Sequence, residues 1–394
     1  LGCALLTLTE DTTGYWYRAA DMHTPTYLIA TPEFTEAWQR NEDNMLNLAY
    51  KCCPMVIPPK PWVSVDEGGY YGDLSTFCTL LRLKYGHNSF KKQYELRLHQ
   101  LDTPDVYKAV NGIQATPWHI NKEVLSIIKT CRTQGYIPHG KEKSHVMSMN
   151  LNEGKPMDIS TSATAEEIKE HKKNLAFWWK GQKRRISIIN RANTMINIAD
   201  KFSVYKNIYF PWNMDFRGRI YPIPSFSPQG DDLCKGLLLF SDTPPCQNKD
   251  DIRWLAITGA NLAGEDKISY DDRIRWVQDN EAVILDVAKD PMSNLWWLHK
   301  DKKPVQLLAW CLEWAKAKAW LAEHGTIVGF VTGLPYAQDG TCSGLQHFSA
   351  ILRDPIGGTA VNLVPQDKPN DIYRLVADKV NIVLKQDAMR GTPD

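Results

Sequence analysis

The chain has 394 residues, 43% hydrophobic and 23% charged, with 46 basic side chains against 45 acidic ones. That length exceeds one compact core and predicts two to four packed lobes, and the composition excludes a disordered chain. A net charge of +1 excludes a globally basic nucleic-acid binder but leaves room for a local basic face. No apolar run reaches the roughly 18–20 residues that a membrane span needs, so no membrane partner is expected. Leu1–Leu6 lacks the basic lead of a signal peptide and runs straight into Glu10-Asp11. The first residue is Leu, so the natural N-terminus is expected to be missing. The cysteine count, 9, is odd and no CxxC spacing occurs, which favours reduced thiols over a disulfide framework or a zinc ribbon. HExxH, Walker A and GxGxxG motifs are absent.

In chain order, Leu5–Thr9 and Tyr15–Arg18 flank the turn-like Asp11-Thr12-Thr13-Gly14 and predict a short hairpin. Pro32–Tyr50 reads as a helix. Val56–Trp62, with three prolines, breaks regular structure, and a Gly-rich turn follows at Gly68–Gly72. A helix is predicted from Pro104. A second is predicted behind Thr116-Pro117, carrying Trp118, Ile120, Val124 and Leu125 and ending near Gly135. The stretch 136–163 lacks periodicity and reads as a loop. Thr164-Ala165-Glu166-Glu167 is a capping box opening a long helix, so 104–205 reads as an all-helical lobe. Ile208–Phe210, Ile220-Tyr221 and Leu237–Phe240 are strand-like. Helices are expected at 249–263, 271–288 and 304–323, and an amphipathic one over Pro369–Lys385. Thr326–Val331 is a buried-strand candidate leading to Asp339.

Four places could carry chemistry. Asp339-Gly340, just after that candidate strand, offers a carboxylate and a carbonyl suited to a hard cation, although Asp-Gly is also a common turn. Asp215-Phe216-Arg217-Gly218-Arg219-Ile220-Tyr221 sets two Arg around a Gly among aromatics, which suits phosphate, and Lys235 can add to that patch. The same residues equally suit a turn in which Asp215 pairs with an Arg. Lys183, Arg184 and Arg185 belong to a basic stretch, 169–191, that fits a helix laid along nucleic acid or a solvated face. Gly340-Thr341-Cys342-Ser343-Gly344 has the spacing of a hydrolase elbow with a Cys nucleophile, but His347 is too near for the usual base, and a small buried Cys is the plain alternative.

Two longer matches are more specific. Pro335–Phe348 resembles motif A of the single-subunit, bacteriophage-type (T7-like) DNA-dependent RNA polymerases. Asp215–Tyr221, with Pro228-Gln229-Gly230, Asp232 and Lys235–Leu238, resembles their upstream palm motif. Further resemblances run along the chain at Pro58–Trp62, Val106–Ala109, Trp118–Lys122, Arg184–Ser187, Leu352–Asp354 and Ala360–Leu363. Tyr336 departs from the family's usual aliphatic residue, and the loop around Asp21–Ile29 looks shorter than the family's promoter-melting hairpin.

The resemblance implies an α-rich α+β fold of right-hand polymerase architecture: a helical thumb, a partial palm with a small antiparallel sheet, and the start of the fingers. It implies that 1–103 is the end of an N-terminal promoter-binding domain, 104–205 the thumb, 206–367 the first part of the palm and 368–394 the beginning of the fingers. It gives Asp339 the role of catalytic, metal-binding aspartate and Gly340 that of carbonyl ligand, for two Mg²⁺ ions in a complete enzyme. Arg217, Arg219, Tyr221, Lys235, Lys183, Arg184 and Arg185 become nucleic-acid contacts. The implied reaction is template-directed attack of an RNA 3′-hydroxyl on an NTP. The implied partners are double-stranded promoter DNA, the template strand, the RNA transcript and NTPs. A monomer in the cytoplasm of a bacterial host, encoded by a phage or prophage, is expected. The fingers motif and the second metal aspartate of the family are expected beyond Asp394, so the chain reads as an internal piece, inactive by itself. The alternative is a non-catalytic nucleic-acid-binding remnant of such a polymerase.

Overall fold

The computed structural model describes residues 16–19, 27–33, 36, 52–72, 78–82, 103–140, 146–157, 164–300 and 303–390. The chain forms two compact units, Leu1–Cys53 and Pro54–Asp394. In the first, β1 (Trp16–Ala19) pairs antiparallel with β2 (Tyr27–Ala30), Trp16 opposite Ala30. The strand expected at Leu5–Thr9 and its turn lie outside the described residues. So do most of the loop around Asp21–Ile29 and most of the helix expected over Pro32–Tyr50.

In the second unit the proline-rich segment forms only single bridges, Met55 to Tyr209 and Lys60 to Gly69. What holds it is Trp62, 1% exposed. Its indole Nε1 donates to the Trp212 carbonyl at 2.8 Å. Its backbone exchanges two hydrogen bonds with the Asn111 amide, 2.7 and 3.0 Å. Gly68 closes over the ring with φ +156°, and a Cβ there would meet the indole at 2.5 Å. Asn111 lies on α1 (Pro104–Gln114), which starts on its proline as expected.

The second predicted helix begins later. Trp118–Ile120 is strand β4, antiparallel to β9 (Leu238–Phe240), with the Trp118 and Phe240 rings 4.0 Å apart. Helix α2 (Lys122–Thr133) opens behind it, where Asn121 Oδ1 accepts from the Val124 N–H. Trp118 and Ile120 both point inward around a half-exposed His119, a period of two that pairing with a strand some 120 residues away makes decisive. The 136–163 stretch also holds a hairpin, β5 (Tyr136–Pro138) with β6 (Val146–Ser148), that places buried Ile137 opposite buried Met147. The region 104–205 is therefore helix-dominated but not all-helical. Its main element is α3 (Ala165–Phe202), opened by the Thr164–Glu167 capping box. Its buried apolar positions run from Ile189 to Phe202, and the earlier turns are mostly exposed.

β7 (Trp212–Asp215) pairs in parallel with β3 (Leu81–Arg82) and antiparallel with β8 (Ile220–Pro222). The small sheet is thus mixed rather than antiparallel, and Ile208 and Tyr209 contribute single bridges instead of the expected strand. The short helix α4 (Asp232–Gly236) leads into β9. Then come α5 (Asp251–Leu262), α6 (Tyr270–Asp279), α7 (Glu281–Lys289), α8 (Trp296–His299) and α9 (Pro304–His324). The expected 271–288 helix is two helices divided at Asn280. Helix α9 forms the centre of this part, with Val305, Leu307, Leu308, Trp310 and Cys311 fully buried. Trp310 lies against Gly259 of α5, where a Cβ would fall 2.0 Å from the indole.

Thr326–Val331 is not a strand. Gly325 (φ +67°) ends α9 and Gly329 (φ +91°) turns the chain, so Ile327 and Phe330 point inward three residues apart. The segment docks instead on Cys246 through Gly329 N–H to O (2.9 Å) and Cys246 N–H to Phe330 O (2.8 Å). Helices α10 (Ser343–Leu352), α11 (Pro355–Ala360) and α12 (Ile372–Arg390) close the order, α12 being the expected C-terminal helix. The fold is helix-rich with small sheets. Among the described residues no disulfide forms, and no helix is long and apolar enough to cross a membrane.

Candidate active site and nucleic-acid interface

The β7–β8 hairpin is built around one carboxylate. Asp215 accepts the backbone N–H groups of Arg217 (2.9 Å) and Arg219 (3.1 Å), the Arg217 guanidinium (2.6 and 2.9 Å) and the Tyr221 hydroxyl (3.4 Å). Desolvation raises its pKa, but the Arg217 bonds and the two backbone N–H groups outweigh it and hold the carboxyl below its ordinary range. Gly218 (φ +85°) makes the turn possible. Arg217 is therefore engaged with Asp215, while Arg219 and the tip residue Phe216, 68% exposed, face solvent. Tyr221 sits under the Arg82 guanidinium, 5.1 Å from ring centroid to Cζ.

Lys235 lies half-buried on α4, and the two acids at the start of that helix tie three helices together. Asp231 caps α4 through the Cys234 N–H and takes Arg191 of α3 at 2.8 Å. Asp232 caps α9, accepting from the N–H groups of Val305 (2.8 Å) and Gln306 (3.2 Å) and from Gln306 Nε2 (2.9 Å). Burial nevertheless dominates and pushes the Asp232 carboxyl up to about 6. On α3, Lys183 and Arg184 are exposed. Arg185 turns back to hold the chain after β6, donating to the carbonyls of Ser148, Asn150 and Glu153 and to the Glu153 carboxylate.

Asp339 sits in an irregular segment aimed from Gly333, whose carbonyl accepts the Phe240 N–H of β9 at 2.8 Å. Its carboxylate is exposed, with Oδ1 accepting the Gly340 N–H at 2.9 Å. The following loop is fixed from the far side of α10: Gln346 Nε2 donates to Val361 O (2.8 Å), and Asn362 Nδ2 to Thr341 Oγ1 (3.0 Å). Asp339 and Gly340 open on a cleft of about 720 Å³ that is also lined by Lys267, Arg273, Lys368, Asp371 and Tyr373. The Tyr373 hydroxyl is raised by the Cys342 thiol and then by the charges of Asp339 and Asp371, so these groups share one electrostatic neighbourhood.

The elbow geometry of a thiol hydrolase is not met. Cys342 has a left-handed φ of +55° at the start of α10, but no strand leads into it, and the group that its thiol perturbs is the Tyr373 hydroxyl rather than a histidine. Among the described residues no group of three or more His, Cys, Asp or Glu side chains converges as a metal cage. The hard oxygens of the cleft include the exposed Asp339 carboxylate and the adjacent Gly340 carbonyl, which suit one face of a divalent cation's shell, and Asp266, Asp367 and Asp371 also line it.

Lys267, Arg273 and Lys368 carry no sequence signal. Lys267 lies in an ordinary polar turn between α5 and α6 and joins Asp339 only through the fold.

The sequence profile of the DNA-dependent RNA polymerase family matches residues 246–393, and that of the DNA-directed RNA polymerase N-terminal region matches 17–114, together more than half of the chain. The chain belongs to the single-subunit, phage-type DNA-dependent RNA polymerase family. It is 41% identical to the DNA-directed RNA polymerase of Enterobacteria phage T3, over 86% of this chain and 36% of that protein. Identity is 40% to the enzyme of Enterobacteria phage K11, over 92% of this chain and 38% of the relative. For the T7 RNA polymerase of Escherichia phage T7 it is 37%, over 92% and 39%. The chain thus spans less than two fifths of the length of these polymerases.

Proposed function

We propose that this chain supplies the first metal-binding aspartate and part of the nucleic-acid grip of a phage-type DNA-dependent RNA polymerase. The observation that carries this reading is one cleft in which the exposed Asp339 and Gly340 stand with the cations Lys267 and Lys368. A carboxylate for a metal beside ammonium groups for phosphate is what nucleotidyl transfer needs from a protein. Mg²⁺, two ions in a complete enzyme, would supply phosphoryl polarisation and activation of the 3′-hydroxyl, one of them held by Asp339 and the Gly340 carbonyl. Lys267 and Lys368 then attract and orient the triphosphate, and the open cleft admits a nucleotide. The reaction forms an O–P bond between the RNA 3′-oxygen and the α-phosphorus and releases pyrophosphate.

The substrates are NTPs, and the nucleic-acid partners are promoter DNA, the template strand and the transcript. Arg219, Lys183 and Arg184 are exposed cations suited to backbone phosphates, with Lys235 half-exposed beside them in sequence order. Arg217 and Tyr221 shape the Asp215 turn from which Phe216 and Arg219 project. Residues 1–103 correspond to the end of the promoter-binding domain, 104–205 to the thumb, 206–367 to the palm and 368–394 to the start of the fingers. Work in a bacterial cytoplasm as a monomer completes the reading.

Its test is localised cleavage: Fe²⁺ replacing Mg²⁺ with NTP present, followed by peroxide. Backbone cuts near Asp339 that Mg²⁺ suppresses and Asp339→Asn removes are expected. Cuts indifferent to Asp339→Asn would reject the site.

A further inference from the structure

Arg273 is a buried cation without an anionic hydrogen-bond partner. It is 5% exposed, and its three hydrogen bonds all end on neutral oxygens. Nε donates to the Ile268 carbonyl (3.0 Å), Nη2 to the Asp266 carbonyl (2.8 Å) and Nη1 to Asn261 Oδ1 (2.8 Å). The Tyr270 ring lies 5.0 Å from Cζ. Asp266 and Ile268 are the residues on either side of Lys267. The guanidinium therefore grips the peptide units that bracket that lysine, using a planar fork that no ammonium can reproduce. Asn261, on α5, anchors the grip to a helix that packs on buried Trp310. Arg273 and Tyr270 also form the wall shared by the Asp339 cleft and an adjoining, largely apolar groove of about 860 Å³.

A buried cation without an anionic partner carries a desolvation cost that hydrogen bonds to neutral oxygens only partly offset. Lys267 stands in a loop between two helices, and a loop lysine left to itself samples many directions. Holding both neighbouring carbonyls removes that freedom at the backbone.

We propose that Arg273 is a positioning residue that braces the Asp266–Ile268 loop so that the Lys267 ammonium meets the polyphosphate of the substrate in the Asp339 cleft. This rests on the reading that the cleft takes a nucleoside triphosphate. Arg273 itself contacts the loop and acts through Lys267.

The test uses the 394-residue chain, inorganic triphosphate with Mg²⁺ as probe, and two readouts: calorimetric binding and amide hydrogen exchange of the 264–269 peptide without ligand. Arg273→Gln should speed exchange at 264–269 and weaken triphosphate binding, each about tenfold, the equivalent of one charge-assisted hydrogen bond. Lys267→Gln should weaken binding equally and leave exchange unchanged. The double variant should bind no worse than either single one, because both act through one ammonium. Arg273→Lys keeps the charge with less risk to folding and should show an intermediate loss in both readouts.

Unchanged exchange in Arg273→Gln and Arg273→Lys overturns the brace. Faster exchange with unchanged triphosphate affinity overturns the positioning role, as do fully additive losses in the double variant. No binding of triphosphate by the wild-type chain, with the exchange effect intact, overturns the triphosphate-cleft reading and reduces Arg273 to a structural residue.

Discussion

Asn362 donates from Nδ2 to Thr341 Oγ1 at 3.0 Å, tying the chain behind α11 to the residue two places after Asp339. The same amide donates to Asn370 O and accepts the Asn370 N–H, so one side chain joins three segments of the cleft wall. Its backbone is left-handed, φ +59°. Asn362→Ala should lose both contributions, about 1–2 kcal/mol for the left-handed conformation and about 1 kcal/mol for each lost bond. Asn362→Gly should recover the first part only. Urea unfolding midpoints of the three proteins decide it, and equal losses in Ala and Gly would remove the backbone from the explanation.

The Trp62 lock predicts a second hierarchy. Trp62→Ala removes a fully buried indole and its bond to the Trp212 carbonyl, an expected loss of about 3–5 kcal/mol. Gly68→Ala should approach that cost with no atoms removed, since its Cβ meets the ring. Thermal melts compare the two. A Gly68→Ala protein as stable as the wild type would mean that the ring does not sit under Gly68.

Asp232 predicts a pH dependence. Its folded pKa, about 6, exceeds the ordinary 3.8 because burial outweighs the bonds from α9. A raised carboxyl contributes its stability below the unfolded value and loses it as pH rises through the folded value. Stability from this group should therefore fall between about pH 4 and 6, by about 1–3 kcal/mol at 1.36 kcal/mol per pKa unit. Asp232→Asn should flatten that interval while keeping an acceptor for α9. Asp232→Ala should flatten it and also lose about 1 kcal/mol of capping at every pH. Denaturant midpoints across that range are the measurement, and an unchanged slope in Asp232→Asn would assign the dependence to another group.

Much of this was legible locally and little of it at a distance. The Thr164–Glu167 box and the proline start of α1 are signals within one or two turns of chain, and α9 is a long apolar stretch without a breaker. β4, β5 and β6 have three residues each, too few for alternation to register, and β4 is defined by a partner at 238–240. Thr326–Val331 misled because a short apolar run fits a strand as well as a buried turn, and Gly329 decided for the turn. Within the site, Asp339, Gly340 and the Asp215 turn could be picked out as motifs. Lys267 and Lys368 could not, because neither stands in a pattern and only the fold brings them to Asp339.

The Asp215 turn separates its two arginines. Arg217 is held by the carboxylate at 2.6 Å, whereas Arg219 gives Asp215 only its backbone N–H and leaves its side chain exposed. Arg219→Ala should lower the salt dependence of binding to an RNA–DNA hybrid by about one phosphate contact. Arg217→Ala should change that slope little but destabilise the turn. Fluorescence anisotropy over a salt series tests both, and a slope change in Arg217→Ala alone would reverse the assignment.

The most direct measurement is template-directed incorporation of labelled NMP by the native gene product that contains this chain, beside its Asp339→Asn variant, with hybrid affinity measured on both. Incorporation by the wild type, a loss of at least about a thousandfold in the variant and hybrid affinity within about twofold are expected, the scale of removing a transition-state electrostatic contact. Incorporation retained in Asp339→Asn would contradict the assignment of Asp339 as the metal-binding aspartate of a polymerase.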